Sequence, residues 1–274
     1  MSERNPNEFT LQWWLGMLVA SCFSLVYIIT PVYLLSCVVV LVVDVYSGLT
    51  LSYGTMILLA PVLVSVLIPA TAMPGLVGSV LKPMLSYFQY EERAEWTDEE
   101  IMKDLDNGKK VILAFVPRGV ISYCGIASWV NTRPLFRRIN TAVASSVLKT
   151  PFIKNIMGIF GLIDASKASL QRHFRTKTGV ESTVVLYVGG LAELFRSSPT
   201  EERVFLSKRK GFIKLALREG VDIVPVYLFG NTTVLTVFRH GPLASLSRNL
   251  GVALTYFWGK WYLPIPRDEP LLYV

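Results

Sequence analysis

Between Leu11 and Leu81 the chain carries a single charged side chain, Asp44. Its first part, LQWWLGMLVASCFSLVYIITPVYLLSCVVVLVV, is apolar from residue 11 to 43, well beyond the ~20 residues that carry a helix across a bilayer. The run predicts a segment that spans a membrane, or enters deeply and bends at Pro31. Trp13 and Trp14 suit an aromatic belt at the membrane surface. The stretch from Asp44 to Tyr53 then holds Ser47-Gly48 and no Lys or Arg, and GTMILLAPVLVSVLIPA follows as a second apolar segment, interrupted by Pro61 and closed by Pro69. Residues 11–81 are therefore expected to form an N-terminal transmembrane helical hairpin. Its loop should lie away from the cytosol and the basic remainder on the cytosolic side. One long hydrophobic helix followed by a buried core helix is the other reading of the same lengths. Residues 1–10 are polar, with one Arg and no clear cleavage site, and read as a short cytosolic tail rather than a cleaved signal.

Composition agrees with membrane contact. Of 274 residues, 52% are hydrophobic, and a mean hydropathy of +0.45 is too apolar for an ordinary soluble domain. The length leaves room for one α/β domain beside the membrane segment. Cys22, Cys37 and Cys124 lack metal-ligand spacing and suggest a reducing compartment rather than a disulfide framework. From Lys109 to the end there are 23 Lys and Arg against 9 Asp and Glu, an excess that draws a domain toward phosphates or an anionic bilayer surface. Nucleic acid is the rival partner for such a surplus; the bilayer-length segment and the lack of any nucleic-acid motif argue against it.

Three apolar runs in residues 82–274 end in similar ways. TVVLYVGGLAE reads as a strand covered on both faces that stops at Gly189 and Gly190 and delivers one carboxylate, Glu193. Open α/β sheets bind ligands at the carboxyl ends of their strands, so Glu193 has an active-site address; a solvated Glu in a strand-to-helix turn is the alternative. KKVILAFVPRGV ends at Pro117 and Gly119 and presents Arg118 on the same side, and VDIVPVYLFGN ends at Gly230. Ahead of all three, Thr97 and Glu100 make a capping box for a short surface helix. RKGFIKLALREG places Lys210, Lys214 and Arg218 on one helical face closed by Gly220. That stripe is either a solvated face or a surface for headgroups or carrier phosphates. The two histidines, His173 in a helical pattern from Ser166 to Phe174 and His240 in FRHGP, read as a solvated helix residue and a turn residue.

The order VGGLAELF, RKGFIKLALREGVDIVPVYLFGN, FWGKWYLPIP resembles the type-2 diacylglycerol acyltransferase family, which includes monoacylglycerol and wax-alcohol acyltransferases. SYF after the hairpin and Gly161 followed by ASKASL add to a resemblance that runs from about Trp13 to Val274. It implies an acyltransferase-like α/β sandwich with a mixed, largely parallel sheet over residues 82–274, preceded by the membrane hairpin and lacking the family's C-terminal extension. It also implies an endoplasmic reticulum membrane protein with a cytosolic catalytic domain, or one on lipid droplets. The implied reaction moves a fatty acyl group from acyl-CoA to diacylglycerol or another lipid alcohol, with acyl-CoA as substrate and no metal or redox cofactor. A homo-oligomer or a partner acyltransferase remains open. Arg118, Gly119 and Glu193 fall on active-site positions, and Pro117, Gly189, Gly190, Arg209, Lys210, Gly211, Phe212 and Pro225 on substrate-binding positions.

The departure lies in FVPRGV, where the family has His-Pro-His-Gly or, in plant relatives, keeps only the second histidine. Val116 and Arg118 stand in for both. A histidine there would be the general base on the acceptor hydroxyl, and Arg, protonated and without an acceptor lone pair, cannot be. Asn231 is a second departure, where relatives carry Glu or Gln. Three outcomes follow: an acyltransferase with another base, Glu193 foremost, and Arg118 as a fixed cation; a catalytically silent relative that binds acyl-CoA or neutral lipid and regulates a partner; or a structural membrane protein that keeps only the fold.

Overall fold

A computed structural model describes residues 10–48, 52–95, 97–131, 138–195, 202–238 and 256–274; His240 and most of the expected N-terminal tail lie outside them. The helical N-terminal part holds α1 (Leu11–Tyr46), α2 (Tyr53–Leu67), α3 (Pro74–Val80) and α4 (Pro83–Tyr87). After it come β1 (Glu91–Glu92), α5 (Asp98–Asp106), β2 (Val111–Val116), α6 (Tyr123–Val130), β3 (Asn140–Val143), α7 (Ser145–Lys149), α8 (Ile153–Gly158), β4 (Leu162–Asp164), α9 (Lys167–Thr176) and β5 (Val184–Tyr187). The chain then continues through α10 (Gly190–Leu194), α11 (Gly211–Glu219), β6 (Asp222–Phe229), β7 (Thr236–Val237), β8 (Phe257–Trp258) and β9 (Leu272–Tyr273).

Seven strands make one sheet in the order β1-β9-β6-β2-β5-β3-β4, and β7 pairs with β8 apart from it. Only the β6–β9 pairing in the large sheet is antiparallel, which is the mixed, largely parallel sheet that the resemblance implied. β2 is central, flanked by β5 and β6, and its residues alternate between two cores. Leu113 and Phe115 pack with α1, α4 and α6 on one face. Ile112 packs with Leu170, Phe174, Leu215 and Ala216 of α9 and α11 on the other. Double coverage is why these strands are continuous hydrophobic runs.

α1 runs unbroken for 36 residues through Pro31, about 54 Å at 1.5 Å per residue, so the bend expected at Pro31 does not end the helix. It is capped by Thr10, whose Oγ1 accepts from the Trp13 N–H at 3.3 Å. It is the one described helix long and apolar enough to cross a membrane; α2, at 15 residues, falls short of bilayer length. The side chains that α1 buries, including Trp13, Gly16, Ala20, Phe23, Thr30, Cys37 and Asp44, recur at three, four and seven residues and form a single stripe. Outside that stripe most of its exposed large side chains are Leu, Ile and Val, with Trp14 and Tyr46 among them.

The first half of α1 is part of the domain wall. A Cβ on Gly16 would lie 2.3 Å from the Pro83 carbonyl oxygen and 2.7 Å from Tyr87 Cβ, so only glycine lets α4 approach. The Tyr123 hydroxyl at the start of α6 donates to the Ala20 carbonyl at 2.7 Å. At the other end of the helical part, Asn155 Nδ2 donates to the Ile68 carbonyl and the Phe152 N–H to Ser65 Oγ, joining α2 to the α8 region. Between these attachments, α1 and α2 meet through the Tyr33 hydroxyl, which donates to the Leu58 carbonyl at 2.6 Å, and through Asp44. Its carboxylate accepts from the Ser52 N–H at 2.9 Å and the Thr55 hydroxyl at 2.6 Å, at the first turn of α2. The lone charge of the apolar stretch thus serves a helix N-terminus, where backbone donors lack partners.

Candidate functional site

β2 and β5 are parallel neighbours in the register Phe115↔Tyr187, so their carboxyl ends lie side by side. The chain leaving β2 carries Pro117, Arg118 and Gly119; the chain leaving β5 passes Gly189 and Gly190 into α10, a single short turn that holds Glu193. The Arg118 N–H donates to Glu193 Oε2 at 2.8 Å, and the Phe205 N–H donates to Oε1 at 3.3 Å. One carboxylate therefore ties together the ends of two strands and the segment before α11. Glu193 is 0% exposed, which corrects the solvated alternative. Burial raises its carboxyl above the ordinary range, while the two N–H donors and the charges of Arg118 and Arg209 pull it back.

The glycines have steric reasons. A Cβ on Gly189 would lie 2.3 Å from Glu193 Cδ, so the carboxylate folds back over the position that lacks a side chain. Gly190 has φ +60°, a left-handed conformation that favours glycine. Arg209 Nη2 reaches the Gly189 carbonyl at 3.4 Å, and its guanidinium lies 5.4 Å from the centre of the Phe205 ring.

A second clamp comes from the other neighbour of β2. Asn231, just past the end of β6, is almost completely buried. Its Nδ2 donates to the carbonyls of Pro117 at 2.9 Å and Arg118 at 2.6 Å, and approaches Ser122 Oγ at 3.3 Å. Its Oδ1 accepts from the Cys124 N–H at 3.2 Å. Gly119, at φ +65°, packs so closely on Asn231 that a Cβ would lie 2.4 Å from its carbonyl oxygen. The Pro117–Cys124 connection is thus held from both sides. Sequence reasoning recognised Asn231 only as a departure; its position directly after a strand and Gly230 is the signal that could have singled it out.

The Arg118 side chain is half-buried. Tyr187 is raised by burial, with the Ser122 hydroxyl and the Arg118 charge opposing. Over the strand ends runs the segment that brings in Phe205, fastened at its start by Glu202, which accepts from the Thr232 hydroxyl at 2.7 Å and from the Tyr227 hydroxyl.

Pro117, Arg118, Gly119, Gly189, Gly190, Glu193 and Arg209 therefore converge. Lys210 and Gly211 open α11 next to Arg209, and Phe212 is half-buried in its first turn. Pro225 does not join the cluster: it pairs with Ala114 in mid-strand, two residues short of the Val116↔Tyr227 level. Lys210, Lys214 and Arg218 are exposed on α11, in the layer across the sheet from α1. His173, expected in solvent, is 9% exposed, because it lies on the same face of α9 as Leu170 and Phe174. Burial lowers its imidazole below the ordinary value. It is the one histidine among the described residues, and it belongs to the α9–α11 layer, away from the cluster. No group of side chains suited to a metal ion occurs among the described residues.

A mixed, largely parallel α/β sheet with its clamped loops gathered at the carboxyl strand ends, beside a helix long and apolar enough to cross a membrane, defines the class: an α/β protein whose ligand address is that edge. A family model described as diacylglycerol acyltransferase matches residues 98–265, and the chain belongs to that family. Among its relatives are diacylglycerol O-acyltransferase 2 of Dictyostelium discoideum, 31% identical over 174 residues, covering 58% of this chain and 52% of that protein. Others are 2-acylglycerol O-acyltransferase 3 of Homo sapiens, 32% identical over 126 residues (43% and 37% of the two chains), and acyl-CoA wax alcohol acyltransferase 2 of Mus musculus, 29% identical over 136 residues (47% and 40%). The chain spans about half or less of the length of these relatives. No solved structure matches it.

Proposed function

We propose that the chain is a membrane-bound O-acyltransferase that moves a fatty acyl group from acyl-CoA to a lipid alcohol of the diacylglycerol type. The observation that carries this reading is the 2.8 Å contact of Arg118 N–H with Glu193, which joins the two motifs that family resemblance marks as the active site. In the reaction the acceptor oxygen bonds to the thioester carbonyl carbon, the carbon–sulfur bond breaks, and the hydroxyl proton leaves with the thiol. Nothing in that balance needs a redox partner. Arg118 is a fixed cation for the developing oxyanion or for a CoA phosphate. Glu193 is the carboxylate placed to take the proton, its basicity strengthened by burial. Because it is fully covered, the segment through Phe205 has to shift for a hydroxyl to reach it. Pro117, Gly119, Gly189, Gly190, Arg209, Lys210, Gly211 and Phe212 shape the surroundings of the thioester and its carrier, and Pro225 supports the β6 strand beneath them.

The setting is the endoplasmic reticulum membrane or a lipid droplet, with α1 and α2 as a hairpin in the lipid and the α/β domain in the cytosol. Attachment of both ends of the helical pair to the domain, α1 through Gly16 and Ala20 and α2 through Ser65 and Ile68, supports this arrangement. A second reading, a silent member that binds acyl-CoA and regulates a partner enzyme, is favoured by the replacement of the motif imidazoles with Val116 and Arg118. Purified protein in lipid vesicles, given labelled acyl-CoA and several lipid alcohols, separates the two. Labelled ester formation supports the enzyme, bound acyl-CoA without ester supports the regulator, and the absence of both contradicts each.

A further inference from the structure

Gly259–Ile265 forms a closed turn near the C-terminus. The Gly259 N–H donates to the Leu263 carbonyl at 2.7 Å, the Leu263 N–H to the Lys260 carbonyl at 2.9 Å, and the Lys260 N–H to the Ile265 carbonyl at 2.7 Å. The Tyr256 hydroxyl braces it by donating to the Tyr262 carbonyl at 3.0 Å. Within the turn Trp261 and Tyr262 have φ of 53° and 58°, a left-handed conformation that strains a residue other than glycine. Burial does not offset that strain. Trp261 is 67% exposed, Tyr262 81% and Leu263 49%. A rigid, strained backbone thus presents three large apolar side chains outward, the pattern of an interaction site rather than of a core.

The base of the turn shows what they meet. Lys260 Nζ lies 4.8 Å from the centre of the Trp13 ring and 5.4 Å from that of Tyr87, and pairs with Asp268 at 2.8 Å. Trp13 is in the first turn of α1, where that helix's exposed apolar surface begins with Leu11, Trp14, Leu15 and Leu18. The turn and the start of α1 therefore stand at one level. Trp and Tyr, apolar rings with a polar edge, favour the headgroup boundary of a bilayer.

We propose that Trp261, Tyr262 and Leu263 insert into the headgroup–acyl boundary of the bilayer leaflet at which α1 starts. The turn is a further point of attachment, displaced from the α1–α2 pair, and it fixes how the sheet edge bearing Arg118 and Glu193 is held over the lipid. This rests on α1 lying in the membrane, and the test separates the two claims.

The full chain with Cys22→Ser leaves Cys37 and Cys124, both buried, as its native thiols. Tyr262→Cys or, separately, Leu263→Cys then accepts an environment-sensitive fluorophore on the turn, and Leu35→Cys accepts it on α1. Each labelled protein is reconstituted in phosphatidylcholine vesicles whose lipids carry a nitroxide near the headgroup or near the chain end. Expected is loss of about half or more of the turn fluorescence with the shallow nitroxide and clearly less with the deep one, as interfacial depth requires. Turn labels that respond only to aqueous iodide, while Leu35→Cys is quenched by lipid, overturn the inference and leave the membrane reading standing. Turn labels shielded from both quenchers show a protein contact, a second copy or another chain, and also overturn it. Lipid quenching at none of the positions removes the membrane reading and the inference with it.

Discussion

Glu193 is fully buried and accepts from two backbone donors, so the chemistry of its two oxygens decides how firmly the β2 loop is held. Glu193→Gln keeps the shape but turns one acceptor into a donor facing an N–H group. A buried donor left without a partner costs about 1–3 kcal/mol, and the thermal midpoint of the detergent-solubilised protein should fall accordingly. The pH dependence gives an independent check. Because the folded carboxyl is held above its ordinary 4.5, the native state binds the proton more tightly than the unfolded chain. The contribution of Glu193 to stability is therefore fully present below pH 4.5 and is lost as pH rises through the folded value. Stability of the parent chain should decline over that interval more steeply than that of Glu193→Gln; parallel curves would show that this carboxyl does not titrate abnormally. Glu193 and Arg118 were legible in the sequence because a buried run that stops at Gly-Gly or Pro-x-Gly places its next residues at the strand end. The role of Asn231 was not, because it depends on register: only the alignment of Val116 with Tyr227 brings it under the Pro117 and Arg118 carbonyls. The burial of His173 could have been read from its spacing to Leu170 and Phe174, a helical face that single-residue reasoning overlooked.

The helical part divides at about Thr30: the earlier half of α1 packs on α4 and α6, and the later half meets only α2 and the α8 region. Hydropathy made the apolar length plain but could not separate these uses, since a helix that lines a core and one that faces lipid have the same composition. What distinguishes them are small and hydroxylated positions, Gly16, Ala20 and Ser24, at the spacing of one stripe. Asp44 was visible as the lone charge, and its purpose appears only when α2 is brought against the end of α1. Asp44→Ala removes the acceptor of the Ser52 N–H and the Thr55 hydroxyl, and loss of such a helix-terminal acceptor costs about 0.5–2 kcal/mol. Amide exchange should accelerate over Ser52–Met56 and remain unchanged in β2 and β5; uniform acceleration would mean that Asp44 supports the whole fold.

Under the proposed membrane arrangement, the face of the sheet that carries α1 is the membrane side, and the face covered by α9 and α11 is turned away from it. The stripe of Lys210, Lys214 and Arg218 then borders the aqueous approach to the strand ends at Lys210, where it is placed for the phosphates of a soluble carrier rather than for headgroups. If α1 and α2 enter and leave by the same leaflet, tags at Met1 and Val274 in sealed microsomes should both be open to protease, and protection of one alone would contradict the paired arrangement. The sheet order could not have been derived from the strands one by one, because β9 reaches its place between β1 and β6 from the far end of the chain. The central claim is that this edge is an acyl-transfer site whose motif histidine has become Arg118. It is tested most directly by the rate of ester formation from labelled acyl-CoA and diacylglycerol, comparing the parent chain with Arg118→His. With Arg118 as the fixed cation and Glu193 as the base, the parent chain should form ester and Arg118→His should form it more slowly, loss of one oxyanion-stabilising group typically costing about 10²- to 10³-fold; a folded parent that binds acyl-CoA and forms no ester, or a rate raised by the imidazole, would contradict the claim.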